Sequence, residues 1–152
     1  YTLWHTLSLH DALPISSNIM ICADGRVKLM DFGLAKNPEE ATVNLEDTFR
    51  GTPHFSSPEH ILSDMDIDIR ADIYSLGATL YTAATGRHPF EDSSSVAVLR
   101  MHLNETAERV GDVNPGLDPA LAGLIDQCLE RDRGKRPTVS ELALKLDVLA
   151  AE

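Results

Sequence analysis

The sequence predicts a mainly α-helical domain with one small β-hairpin near residues 19–30. Three observations carry this. Apolar residues recur at helical spacing in the stretches Arg70 to Gly86, Asp118 to Arg131 and Thr138 to Leu149. Two short apolar runs near the start flank an Asp24-Gly25 pair, a strong local hairpin signal because both residues tolerate positive φ. At 152 residues the chain is long enough for one modest domain with a real core.

The hairpin strands are read as Ile19 to Ile21 and Val27 to Met30. Their connection, Cys22 to Arg26, exceeds two residues, so a looser turn containing Gly25 is expected. Asn18 stands just before the first strand and Asp31 just after the second. An antiparallel pairing brings those two positions together at the open end, with strands roughly 5 Å apart. An amide oxygen and a carboxylate so placed are hard ligands, suited to Mg²⁺ carried by a nucleotide phosphate. Taken alone, Asp31 reads as a solvated turn residue.

Residues 34–50 are polar, aperiodic and contain Pro38, which reads as a loop. The stretch Arg70 to Gly86 is the most apolar. Ile73, Leu76, Leu80 and Tyr81 recur at helical spacing, and Gly77, Ala78, Ala83 and Ala84 permit close approach of other elements. A central buried helix is expected, stopped by Gly86. Ser93 to Met101 is a short helix with a serine cap. Asp118 to Arg131 puts Leu121, Leu124, Ile125, Cys128 and Leu129 on one face, which makes Cys128 a core residue. Thr138-Val-Ser-Glu141 is a capping box for a last helix carried by Val139, Leu142, Leu146 and Leu149.

Composition restricts the function. Acids outnumber bases 24 to 13, a formal charge of −11. That argues against non-specific binding to nucleic acid or anionic membranes. No apolar run approaches the roughly 18 residues that span a bilayer. Cys22 and Cys128 are in no metal or redox spacing and read as reduced structural thiols. His54, His60 and His88 fit no common metal-ligand pattern and are read as surface or packing residues.

Several blocks, in order, resemble the protein kinase superfamily, in particular the C-terminal lobe of bacterial eukaryotic-like serine/threonine kinases. Asn18 followed thirteen residues later by Asp31-Phe32-Gly33 is similar to the metal-binding half of a kinase site. Gly51-Thr52-Pro53-His54-Phe55-Ser56-Ser57-Pro58-Glu59 resembles the segment that shelves the residue after the phosphoacceptor, with Phe55 for Tyr and Ser57 for Ala. Asp72-Ile-Tyr-Ser-Leu-Gly77 and Gly86-Arg-His-Pro-Phe90 continue the pattern, as does the final Arg136-Pro137-Thr138.

The resemblance implies the following roles. Asn18 and Asp31 hold Mg²⁺, with Phe32 and Gly33 close to the nucleotide. Gly51, Thr52 and Phe55 form the substrate shelf. Glu59 and Arg136 make a structural ion pair. Asp72 accepts hydrogen bonds from the catalytic-loop backbone, a role compatible with capping its own helix. Thr48 and Thr42 are candidate phosphosites in an activation loop, Thr48 the better placed, beside Arg50. ATP and Mg²⁺ are the implied cofactors, a protein the implied substrate and the cytoplasm the implied location. No nucleic-acid partner and no membrane segment are expected.

The start of the chain departs from the family pattern. The catalytic Asp belongs five residues before Asn18, where Leu13 stands, and the pair His10-Asp11 is out of register by two. Thr6 to Ile15, TLSLHDALPI, resembles a translated sequencing adapter. Residues 1–16 are therefore read as a non-native leader in which Leu3, Trp4, Leu7, Leu9 and Leu13 pack as a helix. Residues 17–152 are read as a partial kinase domain without the N-terminal lobe. The fragment is expected to be inactive, its parent to phosphorylate protein Ser/Thr hydroxyls. A pseudokinase-type interaction module is the alternative.

Overall fold

In the computed structural model the described residues are 13–16, 19–21, 27–29 and 53–151. They fall into two units, Tyr1–Thr48 and Phe49–Glu152.

The first unit holds a three-stranded antiparallel sheet of β1 (Leu13–Ser16), β2 (Ile19–Ile21) and β3 (Val27–Leu29), in that spatial order. β2 and β3 are the expected hairpin, paired Ile19 with Leu29 and Ile21 with Val27. β1 was not foreseen. Leu13 pairs with Ile21 as a strand residue rather than joining a helix. Pro14 explains this, since proline disrupts a helix interior but is accepted in a strand at a sheet edge. The register slips between Pro14 and Ser16. Leu3, Trp4, Leu7 and Leu9 lie outside the described residues, as does Cys22.

The second unit is helical. Its helices are α1 (Pro58–Ile61), α2 (Arg70–Thr85), α3 (Ser95–Asn104), α4 (Val110–Val113), α5 (Pro119–Cys128) and α6 (Val139–Ala150). Short 3₁₀ turns occupy Pro53–Phe55 and Arg133–Lys135. α2 is the central element, packed by α1, α4, α5 and the Pro53–Phe55 turn. Ala71, Ile73, Tyr74, Gly77, Ala78 and Tyr81 are its buried residues. Leu76 and Ala83, expected inside, are exposed. They lie off the α5-facing stripe that Ile73, Gly77 and Tyr81 define at helical spacing. Gly86 ends α2 in the left-handed region, φ 75°, which a residue with a Cβ adopts only with strain.

Two apolar clusters form the core. Ile73, Leu124, Cys128 and Leu142 pack together beneath Leu146 and Leu149 of α6. Tyr81, Val110, Ala122 and Ile125 form the other. The apolar face read for α5 is thus the buried one, and Cys128 is a fully buried free thiol. Burial pushes that thiol up to about 11, so it stays protonated and unreactive at neutral pH. Val139, at the first position of α6, is 51% exposed rather than in the core.

Local chemistry fixes the helix ends. Ser94 caps α3 and Asp118 caps α5, its carboxylate accepting from the Ala120 and Leu121 amides at 2.9 Å. α4 lacks a cap of its own, and Asp126 of α5 accepts from the Val110 amide at 3.0 Å. The Thr138/Glu141 capping box is present in both directions. Thr138→Ala should therefore cost about 0.5–2 kcal/mol, read as a lower urea midpoint with unchanged slope. Among the described residues no helix is long and apolar enough to cross a membrane.

Candidate functional site

The residues with the clearest functional geometry converge on the buried Arg136. Asp132, Arg133 and Lys135 turn the chain after α5, and Arg136 follows with extended backbone, φ −69° and ψ 151°. Its side chain points inward with no exposed surface. Glu59, the second residue of α1, faces it from the other side. The pair is bidentate, Nη1 to Oε1 at 2.5 Å and Nη2 to Oε2 at 3.0 Å.

The remaining guanidinium hydrogens are also used. Nε donates to the Glu130 carbonyl at 2.7 Å, Nη1 to the Arg70 carbonyl at 2.7 Å and Nη2 to the Arg131 carbonyl at 3.1 Å. All five N–H groups of the fork are satisfied. The group also lies 4.8 Å from the centre of the Tyr74 ring. Burial raises the Glu59 carboxyl, but the hydrogen bonds from Arg136 and its own backbone, with the Arg136 charge, bring it below the usual range. The ion pair expected between Glu59 and Arg136 is therefore present, joining α1, the start of α2 and the α5–α6 connection.

Ser57 caps α1 next to Glu59. Its hydroxyl accepts from the His60 amide at 3.3 Å and contacts His60 Nδ1 at 2.9 Å. Just before it, the Pro53–Phe55 turn packs on α2 and α3. His54 stacks on His88, and Phe55 meets His88 edge-on with centroids 5.3 Å apart. His54 and His88 thus have the packing role read for them, and His60 is at the surface. Asp72 sits in the first turn of α2, exposed, and among the described residues its carboxylate has no hydrogen-bond partner.

Asn18, Asp31, Phe32, Gly33, Thr42, Thr48, Gly51 and Thr52 lie outside the described residues. The β2–β3 pair ends at Ile19 and Leu29, one residue after Asn18 and two residues before Asp31 in the chain.

Sequence reading missed two residues of this neighbourhood. Tyr74 was placed in the central helix with no separate role, yet its hydroxyl lies 2.8 Å from Nδ1 of His102, both side chains being buried. His102 stands one position past the expected end of the third helix. Its signal was the i, i+4 spacing with Val98, both 0% exposed.

The protein kinase domain family matches residues 15–145. A probable serine/threonine-protein kinase PknB of Bifidobacterium longum is 37% identical over 135 residues, 87% of this chain and 19% of that protein. A probable serine/threonine-protein kinase of Clostridium acetobutylicum is 34% identical over 114 residues, 75% of this chain and 17% of that protein. The serine/threonine-protein kinase fray2 of Dictyostelium discoideum is 33% identical over 128 residues, 84% of this chain and 12% of that protein. The chain thus spans less than a quarter of the length of these relatives.

Proposed function

Since this chain belongs to the protein kinase domain family, we propose that it forms most of the C-terminal lobe of a serine/threonine kinase. The reaction is transfer of the γ-phosphoryl group of Mg-ATP to a protein Ser or Thr hydroxyl. The observation that carries the reading is the bidentate Glu59–Arg136 pair. It joins segments 77 residues apart, each of which resembles a kinase motif.

Kinases use ATP and Mg²⁺ as a family, and the donors available here fit. Asn18 offers an amide oxygen and Asp31 a carboxylate, hard oxygens of the kind Mg²⁺ accepts beside phosphate. Bound there, the metal neutralises charge developing on the transferred group. Phe32 and Gly33 adjoin the nucleotide in this reading. Gly51, Thr52 and Phe55 support the residue after the phosphoacceptor, and the protein works on the cytoplasmic side. Thr48 and Thr42 take regulatory phosphate. No proton acceptor stands at Leu13, where the catalytic Asp belongs.

Two assays test the proposal. The 152-residue chain, given radiolabelled ATP and a basic protein substrate, should incorporate no more label than its Asp31→Ala variant. Protein expressed from the intact source gene should label Ser and Thr, and Asp31→Ala should abolish it. Labelling of Tyr alone, or none from the intact gene, overturns the serine/threonine kinase reading and favours a non-catalytic interaction module.

A further inference from the structure

Three histidines from three elements converge on the Pro53–Phe55 turn: His54 within it, His88 after α2, and His102 on α3. The rings of His54 and His88 stack with centroids 4.2 Å apart and planes 13° from parallel. Their partners fix where the protons sit. His54 Nδ1 lies 3.1 Å from the Phe90 carbonyl, which can only accept, so Nδ1 carries the hydrogen. Thr82 donates its single hydroxyl hydrogen to the Ala78 carbonyl at 2.9 Å. The 3.1 Å contact between Thr82 Oγ1 and His88 Nδ1 is therefore Nδ1–H donating to Thr82. Both neutral rings keep a bare lone pair at Nε2. Protonating His88 places a charge in a half-buried ring stacked on His54.

His102 completes the cluster. Its ring packs edge-on against Phe90, centroids 4.8 Å apart, and its Nδ1 is hydrogen-bonded with the Tyr74 hydroxyl at 2.8 Å. Its Nε2 is buried with no hydrogen-bond partner among the described residues. Burial, then the charge of His54, lowers His102 to about 4, although the backbones of Pro53 and His54 act in the opposite sense. Burial and His54 also push His88 down, against the pull of Glu91. The other charged groups give little relief. Glu91 Oε1 is bonded to the His88 amide at 2.9 Å. The Arg136 guanidinium behind Tyr74 is already matched by Glu59.

From this arrangement we propose that the Pro53–Phe55 turn is an acid-released element, held on α2 and α3 through the packed rings of His54, His88 and His102 and freed when His88 and His102 take up protons. The helices beneath it stay folded, because neither apolar core cluster contains a histidine. The sign follows from the lowered value of His102. Its neutral contact is fully stabilising above the ordinary 6.5 and weakens as pH falls from there toward about 4. Each proton taken up on opening shifts the closed-to-open ratio about tenfold per pH unit within that window. That Phe55 supports substrate rests on the kinase reading; the release of the turn does not.

The test uses NMR of the 152-residue chain between about pH 7.5 and about pH 5. Ring-to-ring Overhauser contacts between His54 and His88 should fade on acidification. Protection of the Ser56 amide, bonded to the Pro53 carbonyl, should fall at least tenfold while Ile125 and Leu129 of the α5 region keep theirs. His88→Phe, which keeps a stacking ring without a titrating nitrogen, should shallow the pH dependence, and His102→Gln should do so independently. Ring contacts that persist at low pH overturn the proposal. So does a pH dependence left unchanged in both variants, or a loss of protection shared equally by α5. None of these readouts involves phosphoryl transfer, so failure here is separate from failure of the kinase reading.

Discussion

Arg136→Ala is expected to destabilise the helical unit by about 3–5 kcal/mol, because it leaves a buried carboxylate without its partner. A domain of this kind has about 5–15 kcal/mol in total, so the variant should be largely unfolded in mild urea. Arg136 supplies two hydrogen bonds to Glu59 and one each to the carbonyls of Arg70, Glu130 and Arg131. Its removal strands four acceptor groups at once. The pH dependence should also invert. In the native protein the Glu59 carboxyl is held below 4.5, so its contribution is present above that value and is lost as pH falls through the lowered one. Without Arg136, burial is the dominant influence and raises the carboxyl. The variant should therefore gain relative stability on acidification, as Glu59 takes up a proton. Urea unfolding followed by far-ultraviolet circular dichroism at several pH values reads both effects. A loss below about 1 kcal/mol, the size typical of exposed ion pairs, refutes the buried-pair account. Replacing Glu59 and Arg136 together by methionines should cost less than Arg136→Ala, because no buried charge remains and only the Arg70, Glu130 and Arg131 carbonyls lose their donor.

The second large effect sets two glycines against each other. Both Gly77 and Gly123 lie inside helices, where alanine is intrinsically better by roughly 0.5–1 kcal/mol. A Cβ on Gly77 would stand 2.6 Å from Cys128 Cβ and 3.3 Å from its carbonyl carbon. A backbone atom and a Cβ cannot swing aside, so α2 and α5 must separate. Gly77→Ala should thus destabilise by about 1–3 kcal/mol despite its better propensity. A Cβ on Gly123 meets nothing within 4 Å, and Gly123→Ala should stabilise by roughly 0.5–1 kcal/mol. Opposite shifts in melting temperature are the expected result. Shifts of the same sign would place the α2–α5 approach in error.

The helical part of the fold was legible because its signals are local. The capping box at Thr138, the stop at Gly86 and the apolar face of α5 each depend on residues within one or two turns. The Glu59–Arg136 pair was legible for another reason: its partners sit in motifs whose resemblance to kinases names both. β1 was missed because a strand three or four residues long has little periodicity, and its existence depends on the edge that β2 offers. The Tyr74–His102 bond was missed because nothing local relates residues 28 apart. The stacking of His54 on His88 arises only when α2 returns the chain to the Pro53–Phe55 turn. Leu76 was assigned to the core from spacing alone, yet α2 carries more apolar positions than its neighbours cover.

The distance along the chain between Glu59 and Arg136 also has a temporal meaning. A ribosome adds about 5–20 residues per second, so roughly 4–15 s separate the two during synthesis. Throughout that interval α1 carries a charged group whose counterion does not yet exist. Docking it early would bury a lone carboxylate, so Glu59 stays hydrated and α1 undocked. The docking of α1 is therefore expected to come late, after the connection that follows α5 has emerged.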